Sequence, residues 1–296
     1  MVLRRLASRI GAGVVLATLV AAAALVPVGP AAAADRKKVV AAFYPVAWVA
    51  QQVGGDRVQV TNLTPAGAEP HDLELNPGQL DGLLDADLAI VMGNGFQPAV
   101  EDAAGQRDGV TLRLLDHLPT KRNDPHVWLD PVLMRRVVEQ VRSSLTKADP
   151  QGATVYARNA AALDTRLRSL DARYRAGLAR CTRTDLVTAH EAFGYLAARY
   201  GLRQQGVAGL APDAEPDAKR IAQLTDLVRH DGVTTVFTES LVSPRIADTL
   251  AREAGVKTAV LNPLEGLTDQ ERSRGDDYLT VMDANLAKLR RALGCT

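Results

Sequence analysis

"DPQGATVYARNAAALDTRLRSLDARYRAGLAR", residues 149–180, decides how the rest of the chain is arranged. Asp149-Pro150 is a helix-start signal, and neither glycine nor proline interrupts the run from Ala153 to Ala176. Val155, Ala161, Leu163, Leu167, Leu170 and Tyr174 recur at roughly helical spacing. Thirty residues of helix span about 45 Å, longer than one small domain. A helix of that length in mid-chain reads as a spine joining two bodies.

On both sides of the spine, strand-like and helix-like runs alternate. Upstream, "KKVVAAFYPVAWVAQQVGG" begins as a strand and turns helical at Pro45. "RVQVTNL", "DLAIVMGNG" and "VTLRLL" read as strands, "NPGQLDGLLDA" as a short helix, and the run from Pro131 to Ala148 as a long one. Downstream, "DLVTA", "VTTVFTES" and "VKTAVLNPLEG" read as strands. The stretches "EAFGYLAARYG", "EPDAKRIAQLTDLVRHDG", "SPRIADTLAREAG" and "GDDYLTVMDANLAKLRRALG" read as helices, the third with a Ser243 cap. The alternation predicts an α/β fold with two Rossmann-like lobes of mostly parallel sheet flanked by helices. The expected layout is an N-terminal lobe at 35–148, the spine at 149–180 and a C-terminal lobe at 181–296.

Residues 1–34, "MVLRRLASRIGAGVVLATLVAAAALVPVGPAAAA", have the layout of a secretory signal peptide: arginines, an apolar run, then small residues. Cleavage is expected after Ala34; the alternative is a membrane anchor. Loss of Arg4, Arg5 and Arg9, in a stretch without acids, takes the formal charge from +1 to −2. That near-neutral balance gives no support to nucleic-acid binding. The cleavage region offers no cysteine for lipid attachment, so a periplasmic or extracellular, non-lipidated and monomeric protein is expected. Two cysteines remain, Cys181 and Cys295. In an exported chain the pair reads as a disulfide, worth roughly 2–4 kcal/mol, against the alternative of two unpaired thiols.

Three of the five histidines share one context. His71 in "AEPHDLEL", His126 in "NDPHVWLDP" and His190 in "DLVTAH" all follow strands. The two Asp-Pro pairs around His126 hold that loop stiff. His230 sits at a helix end and His117 in an ambiguous loop, and both are left out. Glu239 in "VFTES" and Glu265 in "VLNPLEG" are carboxylates at strand ends. Three imidazoles and one carboxylate make a set that zinc accepts. Yet a lone histidine after a strand is more often a hydrogen-bonding loop residue, so spacing alone leaves the metal site open.

The motifs "AEPHDLEL", "DPHVWLDP", "AHEAFGYLAARYGL", "EPDAKRIAQL", "FTES" and "NPLEGLT...GDDYLTVMDANLAKL" occur in an order that resembles the metal-binding extracytoplasmic solute receptors of ABC importers for zinc and manganese. The resemblance spans nearly all of residues 38–293. It implies two α/β lobes joined by a long helix, with one transition metal in the cleft. By motif it implies the ligands His71, His126, His190 and Glu265, with Glu239 open between neighbour and ligand. Receptors resembling the manganese type carry glutamate where this chain has His190, so the resemblance favours Zn2+ over Mn2+. It implies an ABC permease as partner and no enzymatic activity. The histidine-rich loop of many zinc receptors is reduced here to "DHLPTKRND".

The competing readings are a manganese receptor, a metal-scavenging adhesin of the same fold, and a secreted zinc hydrolase. For the hydrolase, His190-Glu191 begins an H-E-x-x-H pattern, but position 194 is Gly. Metal affinity is expected to fall below the histidine titration range, and the loops carrying His71 and His190 are the expected moving parts in metal exchange.

Overall fold

The computed structural model describes residues 36–121, 124–214 and 216–296. The expected signal peptide, residues 1–34, lies outside the described residues.

The chain begins with Lys37–Ala41 (β1) and Tyr44–Gly54 (α1), whose first turn contains Pro45. Val58–Asn62 (β2), Pro77–Leu84 (α2), Leu88–Val91 (β3), Pro98–Ala104 (α3) and Val110–Arg113 (β4) follow. All four strands run parallel in the order β2-β1-β3-β4. Leu88, Ala89, Ile90 and Val91 are all buried, as expected for a central strand covered by helices on both faces.

Two long helices follow. Pro131–Ala148 (α4) is capped by Asp130, whose side chain accepts from the Val132 amide. Ala153–Leu178 (α5) has 26 residues, about 39 Å at the helical rise. It starts later than the Asp149-Pro150 signal suggested, because Pro150–Gly152 first form a tight 3-10 turn. Tyr156, Ala160, Leu163, Leu167, Leu170, Tyr174 and Leu178 make one buried stripe at three- and four-residue spacing. The stripe packs against α1 and α4 on the side of the first sheet.

The second half repeats the plan. Asp185–Thr188 (β5), Gly194–Arg199 (α6), Arg203–Gly206 (β6), Ala218–His230 (α7), Thr235–Thr238 (β7), Arg245–Ala254 (α8) and Lys257–Val260 (β8) lead to Asp269–Ser273 (α9) and Tyr278–Leu293 (α10). The second sheet is parallel, in the order β6-β5-β7-β8. The far end of α5 packs on α10, where the Tyr174 hydroxyl donates to the Met282 carbonyl at 2.7 Å. One helix therefore contacts both lobes.

The structure adds three elements that the sequence reading did not contain: α3, β6 and α9. It also shortens the helix after His190 to six residues. At α8, Pro244 rather than Ser243 takes the cap position, and Ser243 Oγ stands 3.5 Å from the Arg245 amide. Proline's fixed φ suits the helix start without a side-chain cap. Cys181 and Cys295 are joined in a disulfide that ties the end of α10 to the segment after α5. Among the described residues, no helix is long and apolar enough to cross a membrane.

Candidate metal centre

Every residue singled out by its position after a strand emerges at the carboxyl end of one. His71 follows β2, His126 follows β4, His190 follows β5, Glu239 follows β7 and Glu265 follows β8. Parallel sheets gather ligand-binding loops at that end. Here the two sheets bring their loops to the same place.

His71, His126, His190 and Glu265 place one donor atom each within 4.8 Å of one another. Glu265 Oε1 lies 3.4 Å from His71 Nε2, 3.3 Å from His126 Nε2 and 3.3 Å from His190 Nε2. The Nε2 atoms of His126 and His190 are 3.4 Å apart. A tetrahedron with metal–donor distances of about 2.0–2.1 Å has edges of about 3.3–3.4 Å. Four of the six edges of such a tetrahedron are therefore already set.

Carboxylates aim the rings. Asp124 Oδ1 accepts from both the backbone amide of His126, at 2.9 Å, and its ring Nδ1, at 2.7 Å. Glu239 Oε1 does the same for His190, at 3.0 and 2.7 Å. An ionised carboxylate only accepts, so Nδ1 carries a proton at both rings, and loss of any proton from Nε2 would leave its lone pair for an ion. At His71 the arrangement differs. Glu69 Oε2 accepts from the His71 amide at 2.9 Å, while Glu69 Oε1 lies 3.9 Å from His71 Nε2.

Both stiff loops have identifiable anchors. In "DPHVWLDP", Trp128 is buried and its Nε1 donates to the Pro263 carbonyl at 2.7 Å, while the Tyr278 hydroxyl donates to the Trp128 carbonyl at 2.5 Å. Asp130 caps α4 and pairs with Arg199. The two prolines thus bracket a segment in which His126, Trp128 and Asp130 are each held by a hydrogen bond. In "NPLEG", Leu264 adopts a left-handed backbone at φ 60°, rare for a residue with a branched side chain. Its amide donates to Asn262 Oδ1 at 2.7 Å, and Asn262 is itself locked to Asn285 and Glu271. Such local strain persists only where surrounding contacts over-determine it, and here it turns Glu265 inward.

The electrostatics follow from burial and pairing. Burial alone would raise Glu265, but the ring nitrogens of His126, His190 and His71, 3.3–3.4 Å away, hold it well below the usual carboxylate range. Burial disfavours a charged His190, yet its hydrogen bond to Glu239 and the nearby Glu265 carboxylate outweigh it and push the ring up to about 10. His126 is raised too: burial opposes the shift, and its hydrogen bond to Asp124 and the nearby Glu265 carboxylate overcome it. Glu69 is pushed up to about 8 by burial and by the charge of Glu265.

His117 and His230 are exposed and stand apart from the cluster. Glu239 sits behind His190. The sequence reading had no role for Asp124 or Glu69, although both lie within two residues of a candidate histidine. An Asp or Glu two positions before a histidine, able to fold back on its amide, was the available signal.

Comparison with known proteins agrees with this geometry. Residues 39–292 match the family described as zinc-uptake complex component A periplasmic, ZnuA. Zinc-binding protein AdcA of Streptococcus pyogenes is 39% identical over 289 residues, which cover 87% of this chain and 56% of that protein. The chain thus spans little more than half the length of such relatives. The high-affinity zinc uptake system protein ZnuA of Bacillus subtilis is 34% identical, with 88% of each chain covered. The crystal structure of the Zn(II)-bound ZnuA-like domain of Streptococcus pneumoniae AdcA superimposes with a TM-score of 0.77 at 37% identity, covering 88% of this chain and 99% of that one. The laminin-binding protein Lmb of Streptococcus agalactiae, described as having adhesin and metal-transporting activity, gives 0.81 at 30% identity over 87% of this chain and 99% of that one. Two parallel four-stranded lobes on one long helix, with this match across almost the whole described chain, show that the protein belongs to the ZnuA family.

Proposed function

We propose that this protein is a zinc receptor that captures Zn2+ outside the cytoplasmic membrane and delivers it to an ABC permease. The observation that carries the reading is the set of four donor separations of 3.3–3.4 Å, which fits a tetrahedral ion of zinc size. His71, His126, His190 and Glu265 are the proposed ligands. Three imidazoles with one carboxylate favour zinc over manganese, which prefers more oxygen. Asp124 and Glu239 orient two of the rings. Four protein donors leave no open position of the kind a zinc hydrolase keeps for water, which supports a carrier rather than an enzyme.

The proposed organisation keeps residues 1–34 as a cleaved signal, lobes at 35–148 and 181–296, and a spine at 149–180. The protein is proposed to work as a monomer in the periplasm or outside the cell, without a lipid anchor, with the membrane permease as partner. Metal analysis of protein purified from its native compartment, followed by competition between Zn2+ and Mn2+, tests the reading. Zinc at one ion per chain, lost in His126→Ala, is the expected result; manganese winning at equal concentrations overturns the metal assignment. The Lmb structural neighbour supports a second reading, a surface adhesin using the same centre. Binding to matrix protein by the loaded chain would favour it.

A further inference from the structure

Three of the four proposed ligands are sealed from solvent. The side chains of His126 and His190 are 0% exposed and that of Glu265 is 1% exposed, while His71 retains 11%. An ion entering or leaving this arrangement must therefore pass on the His71 side. That side opens on a cavity of about 730 Å³ lined by Glu69, Asp72, Asp213 and Arg245 among others, and by none of the four ligands. Glu69 is the residue that belongs to both places. It lines the cavity, and its carboxylate reaches His71.

The two oxygens of Glu69 have different fates. Oε2 accepts from the His71 amide at 2.9 Å, which fixes the side chain. Oε1 is removed from solvent, has no hydrogen-bond partner, and lies 3.9 Å from His71 Nε2. At His126 and His190 the corresponding carboxylate spends its oxygen on both the amide and the ring Nδ1. At Glu69 the second oxygen is instead buried without a partner. The Pro70 carbonyl next to it accepts from Gln97 Nε2 at 2.9 Å, so the loop presents this oxygen from a tethered position. An unpaired buried carboxylate oxygen is costly unless something completes it.

From this geometry we infer that Glu69 is a transfer ligand. Its Oε1 takes the ion from the cavity as waters are shed, hands it to the four resident donors, and receives it first on release. This rests on the proposed ligand set. A hydrated divalent ion loses its waters one at a time, and a carboxyl oxygen tethered at the threshold replaces one of them before the imidazoles can. A group that touches the ion mainly in passage lowers the barrier in both directions and leaves the equilibrium nearly unchanged.

The test is rapid mixing of the metal-free full protein with Zn2+ alone, and of the loaded protein with excess fluorescent chelator extrapolated to zero chelator. Glu69→Gln keeps an oxygen for the His71 amide and serves as the main variant. Asp72→Asn removes a charge from the same cavity and is the control. Thermal melts of the metal-free variants establish that they fold. The expected result is that Glu69→Gln slows association and dissociation together, each by about fivefold or more, while Asp72→Asn changes either by less than about twofold. Unchanged association in Glu69→Gln overturns the inference. Slower association with unchanged or faster dissociation also overturns it, since that marks charge steering or a resident ligand. An equal slowing in Asp72→Asn does so as well. Absence of zinc binding by the unmodified protein would instead sink the proposed function, so the two failures are distinguishable.

Discussion

Glu239 Oε1 accepts two hydrogen bonds from one residue, from the backbone amide of His190 at 3.0 Å and from its ring Nδ1 at 2.7 Å. The carboxylate therefore fixes the tautomer, the ring plane and the local backbone of His190 together. Glu239→Gln keeps the shape but offers a weaker, neutral acceptor. Groups behind a metal ligand typically contribute 10–100-fold in affinity, so a loss of about tenfold in Zn2+ affinity is expected. Competition against a chelator of known affinity measures it. An unchanged affinity would remove Glu239 from any role at the centre.

Trp128 joins the two lobes directly, through its Nε1 donation to the Pro263 carbonyl two residues before Glu265. Trp128→Phe leaves that buried carbonyl unpaired at a cost of about 1–3 kcal/mol. A lower unfolding midpoint and faster zinc dissociation are expected together, because the same contact steadies the fold and the Glu265 loop. A lower midpoint with unaltered dissociation would confine Trp128 to packing.

Asp149 gives a pH prediction away from the metal centre. It is largely buried where α4 meets α5, and burial alone would raise it. The Tyr156 hydroxyl, at 2.6 Å, and Arg57, at 2.8 Å, overcome that and lower it below its ordinary value of 3.8. A depressed folded-state carboxyl adds stability above its unfolded pKa and loses it as pH falls through the folded value. Tyr156→Phe should therefore destabilise the metal-free protein by about 1 kcal/mol at pH 7. The difference from the parent should shrink below about pH 4. Urea unfolding with chelator present, repeated across pH, reads this. A difference that stays constant down to pH 3 would assign the effect to packing alone.

The Cys181–Cys295 disulfide closes a loop of 114 residues. Cys295→Ser is expected to destabilise the protein by about 2–4 kcal/mol. Zinc stoichiometry should stay at one, since neither cysteine belongs to the proposed donor set. Calorimetric melting with and without reductant checks the first point, and metal analysis the second.

How far the fold could be read in advance depended on where each signal resides. Runs such as "LAIV" at 88–91 and the long helices α4 and α5 carry their pattern in their own residues, and all of them appear. The strand β6 reads "RQQG", with no branched or aromatic residue, and becomes a strand only because β5 lies beside it. Helices α3 and α9 are seven and five residues long, too short for periodicity to register. At the site, His71, His126, His190 and Glu265 could be picked out by their places after strands. Their 3.3–3.4 Å separations could not, because these arise from two lobes meeting. The pairing of Asp124 with His126 is local and was within reach; that of Glu239 with His190 spans 49 residues and was not.

The repeated strand order has a consequence in coordination chemistry. The first lobe supplies two imidazoles, and the second supplies one imidazole and one carboxylate. On the proposed ligand set, each lobe by itself would be a bidentate chelator, and the protein would be tetradentate only as a whole. The gain from joining the halves is a chelate effect, set by how closely α5 and the Trp128–Pro263 hydrogen bond hold one pair of donors to the other. With those ligands, metal affinity would be a property of the tether as much as of the four donor atoms.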